Sequence, residues 1–201
     1  MLIFIGIVLE FICCGFVIVS LLRLLKINYF NPIVRLFAEN LEPISKAALF
    51  FLPPLIGSII FSIGLRVISL IIVFPTASIF SLVIISILYV TLMLLTVIFW
   101  CIFGSVILSW VAPNHAHPLL QIIVEISDRS LAPIRKFMPA AGGVDFTPIL
   151  GFIILNTINI QILFPLLPEK TRPFFLLSNL FGWELIQKRF SLIYQFNLNQ
   201  G

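Results

Sequence analysis

The sequence has 201 residues, of which 61% are hydrophobic and only 10% are charged, and its formal net charge is +4 at pH 7. Soluble domains contain roughly 45–50% apolar and about 25% charged residues, so this composition excludes a water-soluble globular domain. The basic residues lie beside apolar segments, where they anchor membrane helices; we therefore expect contact with the lipid bilayer and no direct contact with nucleic acid.

Four apolar segments are long enough to cross a bilayer, which requires about 20 predominantly apolar residues. They comprise residues 2–22, 47–74, 79–111 and 148–167. The third segment is longer than a bilayer requires, so we expect it to tilt, to project from the membrane or to bend near Gly104. The sequence therefore predicts an all-α integral membrane protein with about four transmembrane helices.

The distribution of basic residues predicts the orientation of these helices. Basic side chains are concentrated in the first and third connecting segments: Arg23, Lys26, Arg35, Lys46, Arg129, Arg135 and Lys136. The positive-inside rule places both segments in the cytoplasm and both termini outside. We expect the tail, residues 169–201, to lie at the membrane interface. A re-entrant second segment, or a tail that crosses the membrane, would change the side on which the ends lie.

An internal repeat divides the chain into two related halves, residues 1–75 and 78–168. A shift of 86 positions aligns two proline pairs, one glycine pair and one glutamate pair without a gap: Pro32 and Pro118, Pro53 and Pro139, Gly57 and Gly143, Glu39 and Glu125. Each half is then predicted to contain a transmembrane helix, a cytoplasmic segment and a returning helix. Two such units have the same orientation, as in parallel-repeat membrane folds.

The two cytoplasmic segments, residues 31–46 and 117–137, are predicted to form short amphipathic helices. In the second segment the polar residues fall on one helical stripe, with apolar residues opposite: Gln121, Glu125, Asp128 and Arg129. The first segment repeats this pattern with Arg35, Glu39 and Glu42. Such a helix either packs against the transmembrane bundle or provides a docking site for a partner, and the pattern does not distinguish the two.

The connector between residues 132 and 148 contains the basic pair Arg135 and Lys136 between two prolines. One interpretation is that the basic pair sets the topology and that Asp145 caps the following helix. The other is a charged platform, in which Asp145 pairs with Arg135 or Lys136 and holds the connector for a partner. The first half has apolar residues at the equivalent positions: Leu49, Phe50 and Ile59. The candidate contacts to a partner or to lipid headgroups are Glu125, Asp128, Arg129, Arg135, Lys136 and Asp145.

Two charged residues, Glu10 and Arg66, fall inside predicted transmembrane segments. An isolated charge there costs at least about 2.5–3.5 kcal/mol, so each side chain needs a partner or a route to water. In the four-span arrangement both residues lie at a depth of roughly 12 Å from the outer surface, at about 1.5 Å per residue. We hypothesise that they form an ion pair between the first two spans; the alternative is that each side chain extends separately toward water.

The second half also carries sequence motifs that resemble the YggT family. They are residues 107–110, 118–125, 133–139 and 142–148, and the first half resembles a weaker copy at residues 31–32, 42–43 and 52–53. The resemblance implies a bacterial inner-membrane protein of the two-copy type. It further implies links to cell division, to cytochrome assembly and to osmotic tolerance, and no established enzymatic activity. The absence of the basic pair from the first half departs from the family pattern, which argues against a mechanism with two symmetric charged loops.

No group of residues in the sequence indicates a catalytic, cofactor or metal site. The three cysteines, Cys13, Cys14 and Cys101, lie in apolar runs without metal-ligand spacing. His115 and His117 are the only histidines, and no carboxylate or cysteine accompanies them in a ligand pattern. We therefore expect a protein that is not an enzyme.

Two functions follow from these expectations. The first is a scaffold or assembly factor that contacts other envelope membrane proteins. The alternative is a small channel or transporter subunit with a role in osmotic or ion homeostasis. Either function is compatible with a homo-oligomer.

Overall fold

The computed structural model describes residues 2–111, 117–137 and 145–167, which form helices joined by turns, without a strand. The helices are α1 Leu2–Leu24, α2 Pro32–Ala48, α3 Pro54–Val73, α4 Ile79–Val111, α5 Pro118–Arg135, α6 Thr147–Asn156, the π-helix Thr157–Leu163 and α7 Phe164–Leu166. Two of them, α3 and α4, are long and apolar enough to cross a membrane, with mean hydropathies of 2.4 and 2.8. The tail that we expected at the interface lies outside the described residues.

Proline begins three of these helices, because its missing N–H is not needed in the first turn of a helix. Pro32 and Pro118 begin α2 and α5, each preceded by a residue whose side chain caps the helix. The Asn31 Oδ1 atom accepts the backbone N–H of Ile33 at 3.0 Å. His117 acts in the same way, since its Nδ1 atom accepts a backbone N–H two residues later. These two caps lie 86 positions apart, in the register of the sequence repeat.

One predicted boundary was wrong. The second span was expected from residue 47, but α2 continues to Ala48 and α3 begins at Pro54. A helix cannot run through the pair Pro53 and Pro54, because neither residue has an N–H and each disfavours helical geometry in the residue before it. The helix α5 agrees with the predicted amphipathic segment 117–137, and it includes the first residues of the connector 132–148. The segment predicted as the fourth span, residues 148–167, is helical up to Leu166 and contains the π-helix.

The chain leaves α1 through a left-handed turn at Lys26, which has a φ of 53°. The backbone N–H of Ile27 donates to the carbonyl of Leu22 at 2.9 Å, and that of Lys26 donates to Arg23 at 3.1 Å. This is the hydrogen-bond pattern of a Schellman cap, which normally places an apolar contact beside the turn. Ile27 and Leu22 are both buried in one cluster, and the turn thus directs the chain from α1 toward α2.

The long helices pack side by side through small and aromatic residues. The Ser20 Oγ atom on α1 donates to Ser58 Oγ on α3 at 2.9 Å, and the Ser69 hydroxyl donates to the carbonyl of Gly6 at 3.4 Å. These contacts at both ends make α1 and α3 antiparallel neighbours. The helices α4 and α6 contact each other through aromatic rings: Phe152 of α6 meets Phe99 of α4 edge to face, with ring centroids 5.1 Å apart.

The two amphipathic helices pack against the C-terminal end of α1 and the middle of α4. Val34 of α2 and Ile126 of α5 are buried with Leu21 of α1 in one apolar cluster. Part of each predicted apolar face therefore packs against the bundle. Other apolar residues of these helices stay exposed: Leu36, Ile44 and Leu119.

Candidate functional site

Arg135 connects the end of α5 to the start of α6 by binding two carboxylates. Its Nη2 atom lies 3.0 Å from Oδ1 of Asp128, two turns earlier on α5, and its Nε atom lies 3.2 Å from Asp145 Oδ2. We call this group the Arg135 bridge (Asp128, Arg135 and Asp145). Its side chains are 54%, 39% and 44% exposed in that order, so the bridge lies at the surface. The structure thus brings together three of the residues singled out from the sequence.

Asp145 combines the two roles that the sequence left as alternatives. Its Oδ1 atom accepts the backbone N–H of Thr147 at 2.9 Å, which caps the first turn of α6, while Oδ2 binds Arg135. Hydrogen bonds from the hydroxyl and the backbone N–H of Thr147 lower the pKa of the Asp145 carboxyl, and Arg135 lowers it further. The carboxylate is therefore charged near neutral pH, as the bridge requires.

The other residues of the predicted platform lie along the same helix. Arg129 Nη2 lies 3.1 Å from Glu125 Oε1, one turn earlier on α5. That glutamate oxygen also accepts the backbone N–H of Asn28 at 3.2 Å, from the turn that follows α1. Lys136 follows the last residue of α5 and is exposed. Glu125 therefore connects the two halves of the chain.

A second contact between the halves joins the starts of the two amphipathic helices. The Asn31 Nδ2 atom donates to the carbonyl of Pro118 at 2.8 Å, while its Oδ1 atom caps α2. One amide side chain thus satisfies a backbone group on each helix. The two amphipathic helices meet at their N-terminal ends.

A cluster centred on Glu42 was not predicted from the sequence; we call it the Glu42 cluster (Arg23, Tyr29, Glu42 and Lys46). Arg23 Nε donates to Glu42 Oε1 at 2.7 Å, and a second guanidinium nitrogen binds the other carboxylate oxygen. Lys46 Nζ lies 3.2 Å from Glu42 Oε2, and the Tyr29 hydroxyl donates to Oε1 at 3.1 Å. The i, i+4 spacing of Glu42 and Lys46 was the available signal. Arg23 lies on a different helix, so periodicity did not indicate it.

Glu42 is nearly buried within this cluster, with 9% of its side chain exposed. Burial alone would raise the pKa of its carboxyl group, but the hydrogen bonds from Arg23, Lys46 and Tyr29 outweigh that effect and lower the pKa. The cluster fixes α2 against the end of α1.

Glu10 and Arg66 meet inside the helix bundle. Arg66 Nη1 lies 3.0 Å from Glu10 Oε2, and the two side chains are only 3% and 5% exposed. The guanidinium carbon also lies 4.1 Å from the ring centroid of Tyr89 on α4. A cation over an aromatic face is attracted by the ring quadrupole. One arginine therefore connects α1, α3 and α4 at a single point.

Of the two histidines, the structure describes His117. His117 caps α5, and position 115 lies outside the described residues. Within the part of the chain that the structure describes, no group of three or more His, Cys, Asp or Glu side chains could hold a metal ion.

Comparison with known proteins places the second half in a family. Residues 82–167, which include α5, the Arg135 bridge and α6, match the family described as CCB3/YggT. No solved structure matches the chain.

Three bacterial relatives illustrate the extent of the similarity. An uncharacterized protein of Pseudomonas aeruginosa is 41% identical over 42% of this chain and 43% of its own length. The uncharacterized protein YggT of Escherichia coli K12 is 35% identical over 32% of this chain and 34% of its own length. The chain thus spans less than half the length of these two relatives. An uncharacterized protein of Haemophilus influenzae is 26% identical over 78% of this chain and 87% of its own length.

Proposed function

Since the chain is a membrane protein that belongs to the CCB3/YggT family, we propose that it is a non-enzymatic scaffold or assembly factor of a bacterial inner membrane. In this role it holds other envelope membrane proteins at the cytoplasmic face. The Arg135 bridge is the observation that carries the proposal. It lies in the segment that matches the family, residues 82–167, and it is exposed.

The proposed membrane arrangement has four spans in two parallel repeats: α1, α3, α4 and the helical segment 147–166. That last segment is about 30 Å long at about 1.5 Å per residue, which equals the thickness of the hydrocarbon core. The antiparallel contacts of α1 with α3 support this arrangement, as do the aromatic contacts of α4 with α6.

Exposed aromatic residues support the same placement. Four of them lie at the helix ends that the positive-inside rule assigns to the cytoplasm: Phe30, Phe50, Trp110 and Phe137. Aromatic rings are enriched at the membrane–water interface, where one side contacts acyl chains and the other contacts headgroups. In water, such a set of exposed apolar rings would promote aggregation.

Cysteine accessibility tests this topology. In a variant without the three native cysteines, we expect Lys136→Cys to react with a membrane-impermeant thiol reagent only after the inner face is opened. Thr76→Cys, in the exposed turn between α3 and α4, is expected to react from outside. Labelling of both positions from the same side would contradict the four-span arrangement.

The chemistry of the Arg135 bridge supports a binding role. A general acid or base works best with a pKa near the operating pH, whereas the pKa of Asp145 is lowered by Thr147 and Arg135. A carboxylate of this kind positions its neighbours rather than transferring protons. The bridge fixes the angle between α5 and α6 and keeps charged groups and the exposed Phe137 ring on one surface for a partner.

Photo-crosslinking from position 136 in intact membranes tests the docking role. We expect capture of a defined envelope membrane protein, and we expect the double variant Arg135→Ala/Asp145→Ala to lose that capture. The matched control is Arg35→Ala/Glu39→Ala, which removes an exposed ion pair from α2 without touching the bridge. A crosslinker at the exposed residue Asn40 shows whether capture is specific to the second half.

Each outcome of this experiment is decisive. Loss of a defined partner from the Arg135→Ala/Asp145→Ala variant alone would support the scaffold. Equal loss from the α2 control variant would show a general effect of unfolding and would remove the bridge as the docking site. Capture of lipid or of the chain itself, and of nothing else, would refute the scaffold.

A further inference from the structure

A cavity of about 250 Å³ opens between α4, α5 and α6, near the turn that follows α1. Its wall is almost entirely aliphatic and includes Ile98, Ile102, Leu131, Ile134 and Leu155. Apolar cavities of this size bind apolar ligands rather than water. The occupant must therefore present hydrocarbon to most of the wall.

Two polar residues interrupt the aliphatic wall, and they lie next to each other on α5. The Oγ atom of Ser130 is buried and has no hydrogen-bond partner among the described residues. Leaving a hydroxyl buried and unpaired is unfavourable, so an acceptor on a ligand would stabilise it. Arg129 also lines the cavity, and its side chain is 46% exposed.

Arg129 retains the capacity to bind an anion. Only its Nη2 atom is engaged by Glu125 in the described structure, and a guanidinium group has five N–H donors. Lys26 is exposed and directly follows Leu25, another residue of the cavity wall. The region of the opening therefore carries cationic groups next to an aliphatic interior.

We propose that this cavity binds one acyl chain of an anionic phospholipid from the surrounding bilayer. The chain fills the aliphatic interior, the ester carbonyl accepts the Ser130 hydroxyl, and the phosphate lies against Arg129. Basic pockets between helices on the cytoplasmic side of a membrane are suited to anionic headgroups. This inference uses the membrane placement proposed above, but it does not depend on a protein partner at the Arg135 bridge.

Two variants distinguish the contribution of the hydrocarbon chain to lipid binding from that of the headgroup. Leu155→Trp fills the cavity, and Ile153→Trp is its control, because Ile153 is 58% exposed and does not line the cavity. Arg129→Gln removes the cation at the cavity, and Arg35→Gln is its control. Both arginines pair with a glutamate of their own helix across four residues, but only Arg129 lines the cavity.

The experiment uses the purified full chain in detergent, with native mass spectrometry and thermal unfolding as readouts. We expect phosphatidylglycerol to remain bound and to raise the Tm more than phosphatidylcholine does. Leu155→Trp should lose both the retained lipid and the increase in Tm. Arg129→Gln should bind lipid with a preference for phosphatidylglycerol that is roughly fivefold smaller, the effect expected of one basic side chain at an anionic surface.

Several results would overturn the proposal. They are equal stabilisation by the two lipids, an unchanged response of Leu155→Trp, or the same losses in the two control variants. A photo-crosslinker at position 155 that reacts with the chain's own residues 168–201 instead of lipid would assign the cavity to that segment. If Leu155→Trp fails to fold, the comparison of Arg129→Gln with Arg35→Gln still tests the proposal, because an equal preference for phosphatidylglycerol in these two variants would contradict it. Partner capture from position 136 by the cavity variant Leu155→Trp, compared with its control Ile153→Trp, separates a failure of this site from a failure of the scaffold.

Discussion

Glu42 and Asp128 lie 86 positions apart, and each binds an arginine, but the two arginines come from different parts of the fold. Glu42 binds Arg23 at the end of α1, which precedes its own helix. Asp128 binds Arg135 at the end of its own helix α5. The acidic position is thus present in both halves, while the cation that pairs with it has changed. In the first half the pair holds α2 against α1; in the second half it directs the chain toward α6.

The difference in burial between these two carboxylates predicts different costs of removing their charge. The Glu42 side chain is 9% exposed, whereas that of Asp128 is 54% exposed. We expect Glu42→Gln to lower the free energy of unfolding by roughly 2–3 kcal/mol, because it weakens hydrogen bonds to charged groups away from water. Asp128→Asn should cost less than about 1 kcal/mol, as is usual for exposed ion pairs. Chemical unfolding in detergent measures both values. Equal losses would contradict the assigned burial.

The stability of the Glu42 cluster should also depend on pH. Burial raises the pKa of the Glu42 carboxyl, but hydrogen bonds from Arg23, Lys46 and Tyr29 bring it below the ordinary value. A carboxyl with a lowered pKa contributes stability that is fully present above its ordinary value of about 4.3 and is lost as the pH falls through the lowered value. We therefore expect the Tm to fall below about pH 4.5, and to fall less steeply in Glu42→Gln. Parallel pH profiles for the two proteins would show that other groups cause the acid sensitivity.

The sequence predicted those features that depend on local chemistry. The bounds of α4, Ile79–Val111, agree with the predicted third span, because Pro75 and Pro113 flank a single apolar run. Because proline favours the first position of a helix, the predicted starts of α2 and α5 are correct to within one residue. The contact of Arg135 with Asp145 was also accessible, since both belong to one short connector and few alternative partners are near.

Contacts between separate helices could not be predicted in the same way. Arg23 and Glu42 lie on different helices, and periodicity within either helix gives no information about the other. The serines that join α1 to α3 were missed for a related reason. A helix that is apolar on all sides has no hydrophobic face, so the sequence pattern does not indicate which side packs. The regular spacing of Ser58 and Ser62 was a signal, since small polar residues commonly mark contacts between membrane helices.

Substitutions of Asn31 distinguish the energetic contribution of the α2 cap from that of the contact between the two halves. Its Oδ1 atom caps α2, and its Nδ2 atom donates to Pro118. Asn31→Asp keeps the acceptor and loses the donor, so we expect a loss of about 1 kcal/mol in the free energy of unfolding. Asn31→Ala removes both and should cost about 2 kcal/mol. Unfolding measurements on the two variants test this order, and an Asp variant as unstable as the Ala variant would argue against the bond to Pro118.

The buried pair Glu10 and Arg66 should be strongly coupled energetically. Removing one partner leaves the other charge uncompensated inside the bundle, so we expect Glu10→Leu or Arg66→Met to cost about 3–5 kcal/mol. The double variant should recover much of this loss, since it leaves no buried charge. A double-mutant cycle from thermal or chemical unfolding in detergent gives the interaction energy directly.

Tyr89 supplies the control for this cycle because it contacts the arginine through its ring rather than through a charge. The guanidinium of Arg66 lies over the Tyr89 ring, so Tyr89→Phe retains the aromatic face and should cost little through that contact. Tyr89→Leu removes the face, and we expect its effect to be smaller in the Glu10→Leu/Arg66→Met background than in the wild-type chain. Additive losses for Glu10→Leu and Arg66→Met would show that the two charges do not interact, and each would then have to reach water separately. An equal effect of Tyr89→Leu in both backgrounds would show that the ring stabilises the bundle by packing and not by holding the cation.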